Sequence, residues 1–407
     1  MRFENDERYM RRALDLAANG LGHARPNPMV GAVLVKDGRI IGEGWHEQFG
    51  GPHAEVNAFS SCTEDPEGAT LYVTLEPCAH YGKTPPCCEL VIKKKVARVV
   101  CAMVDPNPLV AGKGLQQIRE AGIAVTTGVL EQKVRRFNEV FIKYITEKRP
   151  FVLYKAAMSF DGKTACSTGE SQWISTKASR EQSHILRGSF AAIMVGAGTV
   201  TMDNPSLTAR FEGFHDPIRI IVDGSLSVPL DANVFTLPGR VILVTTSGTD
   251  EAKRQALQDK GAEIILSDGE KPGEVDLAAL MVGLALKGID SVLLEGGATL
   301  AAAAFKADIV DKIRIYMGPM IIGGKDAPGL IGGIGASHLS EAVVLKDIHT
   351  EMSGADLVVE AYVDRRAVRP ISVEEMKHDE VPKDGTEKTY RVDGSTQIMH
   401  PTDEEVS

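Results

Sequence analysis

Short stretches near the start of the chain carry side chains of the types that bind metal ions. The tripeptide HAE occupies residues 53–55, and the dipeptide PC occurs at 77–78 and again at 86–87. One imidazole with two thiolates suits Zn²⁺, and three protein ligands leave a position for water, as catalytic zinc requires. Because zinc lowers the pKa of bound water towards neutrality, these residue types predict hydrolysis. Glu55 would take a proton from that water and later deliver one to the leaving group.

The spacing of these residues departs from the simplest form of a known signature. Zinc-dependent nucleobase deaminases carry H-x-E followed by P-C-x-x-C. Here Cys87 follows Cys78 by nine positions rather than three, so the polar loop AHYGKTPP separates the two cysteines. Cys88 is an alternative third ligand that the residues alone do not exclude. H-x-E by itself favours a structural zinc ion or an incidental histidine, whereas two prolyl-cysteines following in order favour a catalytic site.

The size and composition of the chain limit the classes of protein to which it can belong. At 407 residues two domains are expected, and 43% hydrophobic with 25% charged residues is typical of a globular protein. A net charge of −10 argues against non-specific nucleic-acid binding and favours a small-molecule substrate. No apolar run approaches the roughly 20 residues that span a bilayer. The charged N-terminal segment lacks the apolar core of a signal peptide, so we expect a cytoplasmic protein without a membrane partner.

The elements that must position the metal site follow from hydrophobic periodicity. Apolar residues at helical spacing predict a helix that is capped by Asn5 and ends at Gly20. MVGAVLV and RIIGEG flank KDG, a pattern that predicts a β-hairpin. ATLYVTL and ARVVCAMV are nearly continuous apolar runs, which are typical of strands covered on both faces. With a last helix around 130–146, residues 1–147 form the first predicted α/β domain.

A second α/β domain is predicted over residues 148–366. EKRPF at 147–151 has the composition of a hinge, and after it candidate strands recur with helical patterns between them, such as the one over 276–287. The candidate strands are FVLYKAAM, AAIMVGAG, IRIIVDG, VILVTT, AEIILS, SVLLEGG and KIRIYMG. Residues 367–407 form an acidic tail that we expect to be mobile or peripheral, because residues 371–407 hold ten acidic and four basic side chains.

A second candidate site lies where a strand ends in EGG at 295–297 and a helix begins near Ala298. Glycines let the backbone approach a phosphate, and a helix N-terminus supplies unpaired N–H groups. VGAGT at 195–199 is another such turn, and ligands of open α/β sheets collect at these strand ends. The alternative is that the glycines only end their strands. The sequence contains no G-x-G-x-x-G after a strand, so a standard dinucleotide fold is not indicated.

The segments at 26–59, 71–87 and 105–115 resemble the deaminase half of the RibD family, the bifunctional enzymes of riboflavin biosynthesis. That family carries the long loop between the two cysteines. The resemblance implies a cytidine-deaminase-like α/β/α zinc domain in which Glu55 carries the proton. It implies that the zinc ligands are His53, Cys78 and Cys87. The residues that it places around the pyrimidine and its sugar phosphate are Asn27, His46, His80, Lys83, Asp105 and Asn107.

The segments at 155–165, 169–175, 195–210 and 294–306 are similar to the reductase half of the same family. That half has a fold like dihydrofolate reductase and takes its hydride from NADPH. The resemblance implies that the cofactor is lined by Ala157, Trp173, Thr199, Asp203, Ser225, Gly297, Ala298 and Thr299, with Asp203 also assisting proton transfer. It implies that the substrate is contacted by Ser171, Arg187, Leu207, Arg210 and Glu295. Two arginines suit a phosphorylated sugar, because a guanidinium binds phosphate oxygens in a bidentate fork.

The resemblance implies two consecutive reactions of riboflavin synthesis, and we separately expect a homo-oligomer. The first domain would hydrolyse the 2-amino group of 2,5-diamino-6-(5-phosphoribosylamino)pyrimidin-4(3H)-one, and the second would reduce the ribosyl group of the resulting aminouracil to ribityl. One rival is a deaminase that edits nucleic acid, which the acidic balance and the 5% of aromatic residues disfavour. Another is a non-catalytic zinc protein whose second domain serves oligomerisation.

Overall fold

The computed structural model describes residues 2–81, 85–108, 110–365 and 391–392. Within these ranges the chain divides into two compact units, one ending at Arg149 and the other beginning at Pro150. Among the predicted features, Lys83 and nearly all of the acidic tail over 367–407 lie outside the described residues. No helix in the described part of the chain is both long and apolar enough to cross a membrane.

The first unit is built on a five-stranded sheet with the strand order β2-β1-β3-β4-β5. The strands are β1 (Gly31–Lys36), β2 (Arg39–Trp45), β3 (Thr70–Leu75), β4 (Arg98–Met103) and β5 (Ala124–Thr127). The helices are α1 (Arg2–Ala17), α2 (Ala54–Ser60), α3 (Cys87–Lys93), α4 (Lys113–Glu120), α5 (Glu131–Phe137) and α6 (Glu139–Glu147), and a 3-10 turn, Ala18–Gly20, follows α1. β3, β4 and β5 are parallel, whereas β1 is antiparallel to both of its neighbours.

The first helix forms as its periodicity predicts, but it starts earlier. Tyr9, Met10 and Ala13 are buried on one face of α1, so the apolar spacing is confirmed. Asn5 was predicted to be the N-cap, and this is wrong, because α1 begins at Arg2 and already includes Asn5. The residues before Asn5 are themselves compatible with a helix, and a single cap-type residue does not stop one.

Buried side chains on both faces of the sheet produce an α/β/α sandwich. Met10 of α1 packs with Val33 of β1 on one face. Phe59 of α2, Val91 of α3 and Leu115 of α4 pack together on the other. The predicted hairpin of β1 and β2 forms, as do the predicted strands β3 and β4, so the α/β/α class of this unit is confirmed.

The second unit is built on a ten-stranded mixed sheet with the order β13-β14-β12-β6-β11-β7-β8-β9-β10-β15. The strands are β6 (Phe151–Ser159), β7 (Ala192–Gly196), β8 (Ile218–Val222), β9 (Val241–Thr245), β10 (Ala262–Ser267), β11 (Ser291–Leu294), β12 (Lys312–Gly318), β13 (Leu345–Ser353), β14 (Asp356–Val363) and β15 (Arg391–Val392). The helices are α7 (Lys177–Ser189), α8 (Ala197–Asp203), α9 (Asn233–Thr236), α10 (Glu251–Asp259), α11 (Leu277–Leu286) and α12 (Ala298–Lys306), with a 3-10 turn at Leu339–Glu341.

Every pair of neighbouring strands among β6 to β12 is parallel. The carboxyl ends of these seven strands therefore share one edge of the sheet. All seven correspond to predicted strands, and the predicted helix over 276–287 is α11. Met194 and Ile193 of β7 point to opposite faces of the sheet. Met194 packs with α11 and α12, and Ile193 packs with α8 and α10. This covering of both faces explains why these strands are nearly continuous apolar runs.

The hairpin of β13 and β14 is not predicted from the sequence. β14 pairs antiparallel with β12, and β13 lies at the edge of the sheet. Residues 346–352 of β13 are all exposed, so they show neither an apolar run nor the alternation of a half-buried strand.

Candidate functional site

The structure brings His53, Cys78 and Cys87 together at the carboxyl end of β3. The Nδ1 atom of His53 lies 3.6 Å from Sγ of Cys78 and 3.3 Å from Sγ of Cys87. One donor atom from each of the three lies within 4.8 Å of the others. Ligands of a tetrahedral zinc ion are about 3.6 Å apart, given the usual bond lengths to sulfur and nitrogen. The donor set and its spacing therefore fit zinc.

Two helix starts and one strand end position these ligands. His53 is the N-cap residue of α2, and Cys87 is the first residue of α3. Gly44 of β2 allows α2 to lie close to the sheet, because a Cβ atom there would be 2.3 Å from the backbone nitrogen of Ala58. The backbone N–H of Cys87 donates to Sγ of Cys78 at 3.3 Å, so the start of α3 also orients the thiolate that follows β3.

The alternative ligand Cys88 points away from this cluster. Its Sγ donates to Oε1 of Gln117 on α4 at 3.0 Å, and the side chain is buried in the core beneath α2, α3 and α4. Successive residues of a helix project in directions about 100° apart, so only one of two adjacent cysteines can face His53. In this structure that residue is Cys87.

Glu55 occupies the first turn of α2 beside the cluster, and its side chain is 3% exposed. Burial raises the pKa of Glu55 to about 7, and the nearby His53 opposes this shift. A hydrogen bond with the Cys87 thiol, together with one to His53, lowers the pKa of Cys78. The cluster thus holds a sulfur that carries negative charge, next to a carboxyl group that is able to gain and lose a proton near neutral pH.

His46 and Asn27 form a hydrogen-bonded pair next to the cluster. Nε2 of His46 lies 3.1 Å from Nδ2 of Asn27, and Nδ1 lies 3.0 Å from the carbonyl oxygen of Pro52. The carbonyl can only accept, so Nδ1 donates and Nε2 accepts from the amide. Burial lowers the pKa of His46, which favours this neutral form. The His46 ring meets the ring of His53 edge-on, with centroids 5.6 Å apart.

Asp105 and Asn107 follow β4, the strand next to β3. Oδ1 of Asp105 accepts the backbone N–H of Asn107 at 2.8 Å, and burial raises the pKa of Asp105. His80 is exposed in the loop after Cys78, close enough to oppose that shift. Five of the six predicted substrate residues of this unit are thus in the described part, and Lys83 lies outside it.

Sequence reasoning missed Glu76, which precedes Pro77 and Cys78. Its buried carboxylate accepts backbone N–H groups of Asp105, Gly112, Gly114 and Leu115. The available signal was an acidic residue directly after a buried strand, within a motif already singled out for its cysteine.

The second candidate site contains a buried ion-pair cluster at the carboxyl edge of the other sheet. Glu295 follows β11, and its carboxylate accepts from Nε of Arg187 at 3.1 Å and from Nη2 at 2.8 Å. Burial opposes ionisation of Glu295, but Arg187 and Lys155 together hold its pKa at about 2. Nζ of Lys155 lies 3.9 Å from the same carboxylate, and burial lowers the pKa of this amine.

Lys155 is another residue that sequence reasoning missed. It lies in β6, within the predicted strand FVLYKAAM, and its side chain is only 14% exposed. A lysine in the middle of an otherwise apolar strand was the available signal, because such a charge is rarely buried without a partner.

The loop that carries Leu207 and Arg210 has an unusual backbone. Asn204, Leu207 and Arg210 have φ values of 40°, 55° and 51°, a left-handed conformation that costs free energy for residues with a side chain. Leu207 is buried, whereas Arg210 is exposed and its Nε donates to Oγ1 of Thr208 at 3.2 Å. Strain of this kind clusters at ligand-binding sites, so the loop is a reasonable place for substrate contacts.

The predicted cofactor residues lie along the same carboxyl edge. Thr199 follows β7 in α8, and a Cβ atom on Gly297, the N-cap of α12, would lie 3.6 Å from its Oγ1. Trp173 is largely exposed, and the guanidinium of Arg180 stacks 4.3 Å from its ring centroid. The remaining members are Ala157 late in β6, Asp203 at the end of α8, Ser225 after β8, Ala298 and Thr299 in the first turn of α12, and the substrate residue Ser171 before α7.

Comparison with known protein families agrees with the division of the chain into two units. The family model of the cytidine and deoxycytidylate deaminase zinc-binding region matches residues 3–103. The model of the RibD C-terminal domain matches residues 150–359. The zinc cluster lies within the first match and the Glu295 cluster within the second.

Curated relatives and solved structures resemble the chain over most of its length. The riboflavin biosynthesis protein RibD of Actinobacillus pleuropneumoniae is 43% identical over 356 residues, which cover 87% of this chain and 94% of that protein. The RibD of Aquifex aeolicus is 42% identical, with 88% and 98% covered. A Thermotoga maritima structure, described as a diaminohydroxyphosphoribosylaminopyrimidine deaminase and 5-amino-6-(5-phosphoribosylamino)uracil reductase, has a TM-score of 0.79 and 40% identity, with 89% and 100% covered. With a deaminase zinc site in one unit and a reductase domain in the other, the chain belongs to the RibD family of bifunctional riboflavin-biosynthesis enzymes.

Proposed function

We propose that this chain carries out two consecutive steps of riboflavin synthesis on one phosphoribosyl pyrimidine. Residues 1–147 would hydrolyse the 2-amino group of the diaminopyrimidinone and release ammonia. Residues 148–366 would reduce the ribosyl group of the product, 5-amino-6-(5-phosphoribosylamino)uracil, to ribityl. The substrate names follow those of the Thermotoga maritima relative. We assign no function to residues 367–407.

The observation that carries the proposal is the convergence of three metal-binding side chains on one buried carboxyl group. His53, Cys78 and Cys87 would hold Zn²⁺, and Glu55 lies beside them. When bound, zinc supplies a Lewis acid that lowers the pKa of a coordinated water. Burial raises the pKa of Glu55 above its ordinary value, so its carboxylate beside the metal site is suited to accept a proton at one stage and return it at another.

Polar side chains around the cluster would orient the pyrimidine. Asn27 and His46 support each other on one side, and Asp105 with Asn107 follows the neighbouring strand end. His80 and Lys83 belong to the loop between the two cysteines, from which a cation would reach the sugar phosphate. This set pairs hydrogen-bonding groups for a base with charged groups for a phosphate, as the substrate requires.

In the second unit, the edge that carries Thr199 and Gly297 would bind the cofactor. NADPH supplies the hydride that reduces C1′ of the ribose, and Asp203 at the end of α8 would assist the accompanying proton transfer. The Arg187 fork is engaged by Glu295, which leaves the exposed Arg210 as the guanidinium available to a phosphate. Glu295, Ser171 and the strained loop at Leu207 would contact the rest of the substrate.

A two-stage turnover assay with Glu55→Gln tests this proposal. The wild-type protein should release ammonia without a nicotinamide cofactor and then oxidise NADPH when it is added. Glu55→Gln should retain zinc and reduce supplied aminouracil, but its ammonia release should fall by a factor of about 100 or more, the usual scale for a general acid–base group. Ammonia release that persists at the wild-type rate in this variant would disprove the role of Glu55.

We also propose that the protein is a homo-oligomer in the cytoplasm. None of the six cysteines forms a disulfide, which suits a reducing compartment. β13 is an edge strand, and it presents Ile348 and Met352, each more than 60% exposed. An exposed edge with apolar side chains is a template for pairing with another chain. Light scattering should give a multimer for the wild type and a smaller species for Ile348→Lys, whereas Lys346→Ala should not change the mass.

A further inference from the structure

Glu76 is a buried carboxylate whose acceptor positions are filled by backbone groups. The residue follows β3 directly, and its side chain is 4% exposed. Oε2 accepts the N–H of Asp105 at 3.1 Å and of Gly112 at 2.9 Å. Oε1 accepts the N–H of Gly114 at 2.9 Å and of Leu115 at 3.2 Å. Hydrogen bonds to an ionised acceptor are stronger than neutral ones, and losing the acceptor leaves buried donors unpaired.

These four bonds connect the metal-ligand turn to the segment that carries the predicted substrate residues. On one side, Glu76 precedes Pro77 and the ligand Cys78 by one and two positions. On the other, the backbone of Asp105 is held directly, and Asp105 in turn accepts the N–H of Asn107 at 2.8 Å. The strand ends of β3 and β4 also meet through the N–H of Glu76, which donates to the carbonyl oxygen of Met103 at 3.0 Å.

Close packing at the start of α4 supports the same connection independently. A Cβ atom on Gly114 would lie 1.9 Å from the carbonyl oxygen of Pro77 and 3.3 Å from Oε1 of Glu76. Only glycine fits at that distance, since real Cβ contacts are much longer. The backbone of α4 therefore rests on the turn that carries Cys78, and Glu76 caps its first N–H groups from a different element.

We infer that Glu76 is a positioning residue for the deamination, which fixes Asp105 and Asn107 in register with the metal-ligand turn. It touches neither the metal ligands' donor atoms nor, on this inference, the substrate. The inference rests on the proposed substrate-facing role of Asp105. A glutamine at position 76 would put an amide NH₂ against backbone N–H groups, and an aspartate would keep the charge on a shorter stem.

The bifunctional chain provides its own control for the amount of active protein, because the reductase unit does not contain Glu76, and zinc content is the control for folding of the first unit. In Glu76→Gln we expect the deaminase KM to rise by about tenfold or more, the loss of roughly one strong hydrogen bond, with a smaller change in kcat. Zinc content and aminouracil reduction should stay at the wild-type level. In Glu76→Asp the deaminase KM should lie between the values of Glu76→Gln and the wild type. Glu120→Gln, on the exposed side of α4, is the matched control and should change neither parameter.

Asp105→Asn, measured in the same assay, separates failure of this inference from failure of the proposed function. If Asp105→Asn raises KM and Glu76→Gln does not, the positioning role is wrong and the substrate assignment stands. If Asp105→Asn has no effect, the assignment fails and the inference fails with it. Glu76→Gln could instead lose zinc or unfold, while Glu76→Asp shows no selective change in KM. That result would mean that Glu76 has a purely structural role.

Discussion

Arg187 and Glu295 face each other in a two-pronged ion pair, with Nε to Oε1 at 3.1 Å and Nη2 to Oε2 at 2.8 Å. The pair joins α7 to the end of β11, and Lys155 of β6 approaches the same carboxylate at 3.9 Å. Arg187 and Lys155 thus share the carboxylate of Glu295, and all three side chains are less than one-fifth exposed. Removing the carboxylate would leave like charges buried together, which costs more than losing a surface pair.

We therefore expect Glu295→Gln to abolish most of the reduction while leaving deamination intact. The variant loses a proposed substrate contact of Glu295 and leaves two buried cations without their anion, and a loss of about 3 kcal/mol corresponds to a fall of about 100-fold or more in the reductase kcat/KM. NADPH oxidation with supplied aminouracil measures this, and ammonia release is the internal control. Glu263→Gln removes a more exposed ion-paired glutamate of the same unit and should keep full reductase activity. Equal activity in the two variants would contradict the importance of the cluster.

The same ion pair predicts a dependence of stability on acid. The pKa of Glu295 in the folded protein is about 2, below its ordinary value of 4.5, so its contribution is fully present above pH 4.5 and is lost as the pH falls towards 2. Between neutral pH and about pH 3, the thermal midpoint of the wild type should therefore fall further than that of Glu295→Gln, which has no such proton to gain. If the thermal midpoints of the two proteins changed in parallel with pH, the ion pair would add nothing to stability.

Adjacent cysteines offer a sharp test of the metal site. Cys87→Ser should lower zinc content and ammonia release, because Sγ of Cys87 lies next to His53. Cys88→Ser should retain both, since its Sγ bonds Gln117 and a hydroxyl also donates to that amide. Zinc is measured by elemental analysis of the purified proteins, the circular dichroism spectrum of each variant reports its folding, and reductase activity reports the amount of intact second unit. If Cys88→Ser lost its zinc and Cys87→Ser retained it, the third ligand would be Cys88 rather than Cys87.

Local patterns predicted most of the fold, and long-range contacts account for what they missed. The seven parallel strands of the second unit are apolar because both faces are covered, and this leaves a signal in the sequence. Residues 346–352 of β13 are exposed, and they leave no such signal. Near the first site, H-x-E and prolyl-cysteine predicted the cluster, but the choice between Cys87 and Cys88 depends on where α3 begins. The sequence carries a signal for Glu76, an acidic residue directly after a buried strand, but not its role, because its hydrogen-bond partners lie 29 to 39 residues away.

Another long-range contact, that of Asp6 with Arg98, should stabilise the first unit. The Asp6 carboxylate accepts from Nη1 and Nη2 of Arg98, each at 2.8 Å, and from the hydroxyl of Tyr72 at 2.9 Å. All three partners are largely buried, so Asp6→Ala leaves an uncompensated guanidinium between α1 and the sheet. We expect the free energy of unfolding to fall by about 3–5 kcal/mol.

Urea unfolding of the full chain, followed by hydrogen exchange of the β3 and β4 amides, measures this loss. Glu7→Ala is the matched control on the same helix, because Glu7 pairs with Arg11 on an exposed face. Such a pair contributes less than about 1 kcal/mol. Similar losses for the two variants would mean that burial does not strengthen the Asp6 contact.

Asn138 holds the segment that carries Asn27, and its removal should weaken substrate binding without removing zinc. Oδ1 of Asn138 accepts the N–H of Met29 at 2.8 Å, and Nδ2 donates to the Met29 carbonyl oxygen at 3.0 Å. Asn138→Ala removes the partner of both backbone groups of Met29 in a partly buried place, at a cost of about 1 kcal/mol. Because Asn27 lies two residues away and supports His46, the deaminase KM should rise while zinc content stays constant. Thr146→Ala, which removes an exposed hydroxyl from α6, should leave KM unchanged. If the two variants had the same KM, the contact of Asn138 with Met29 would have no influence on the site.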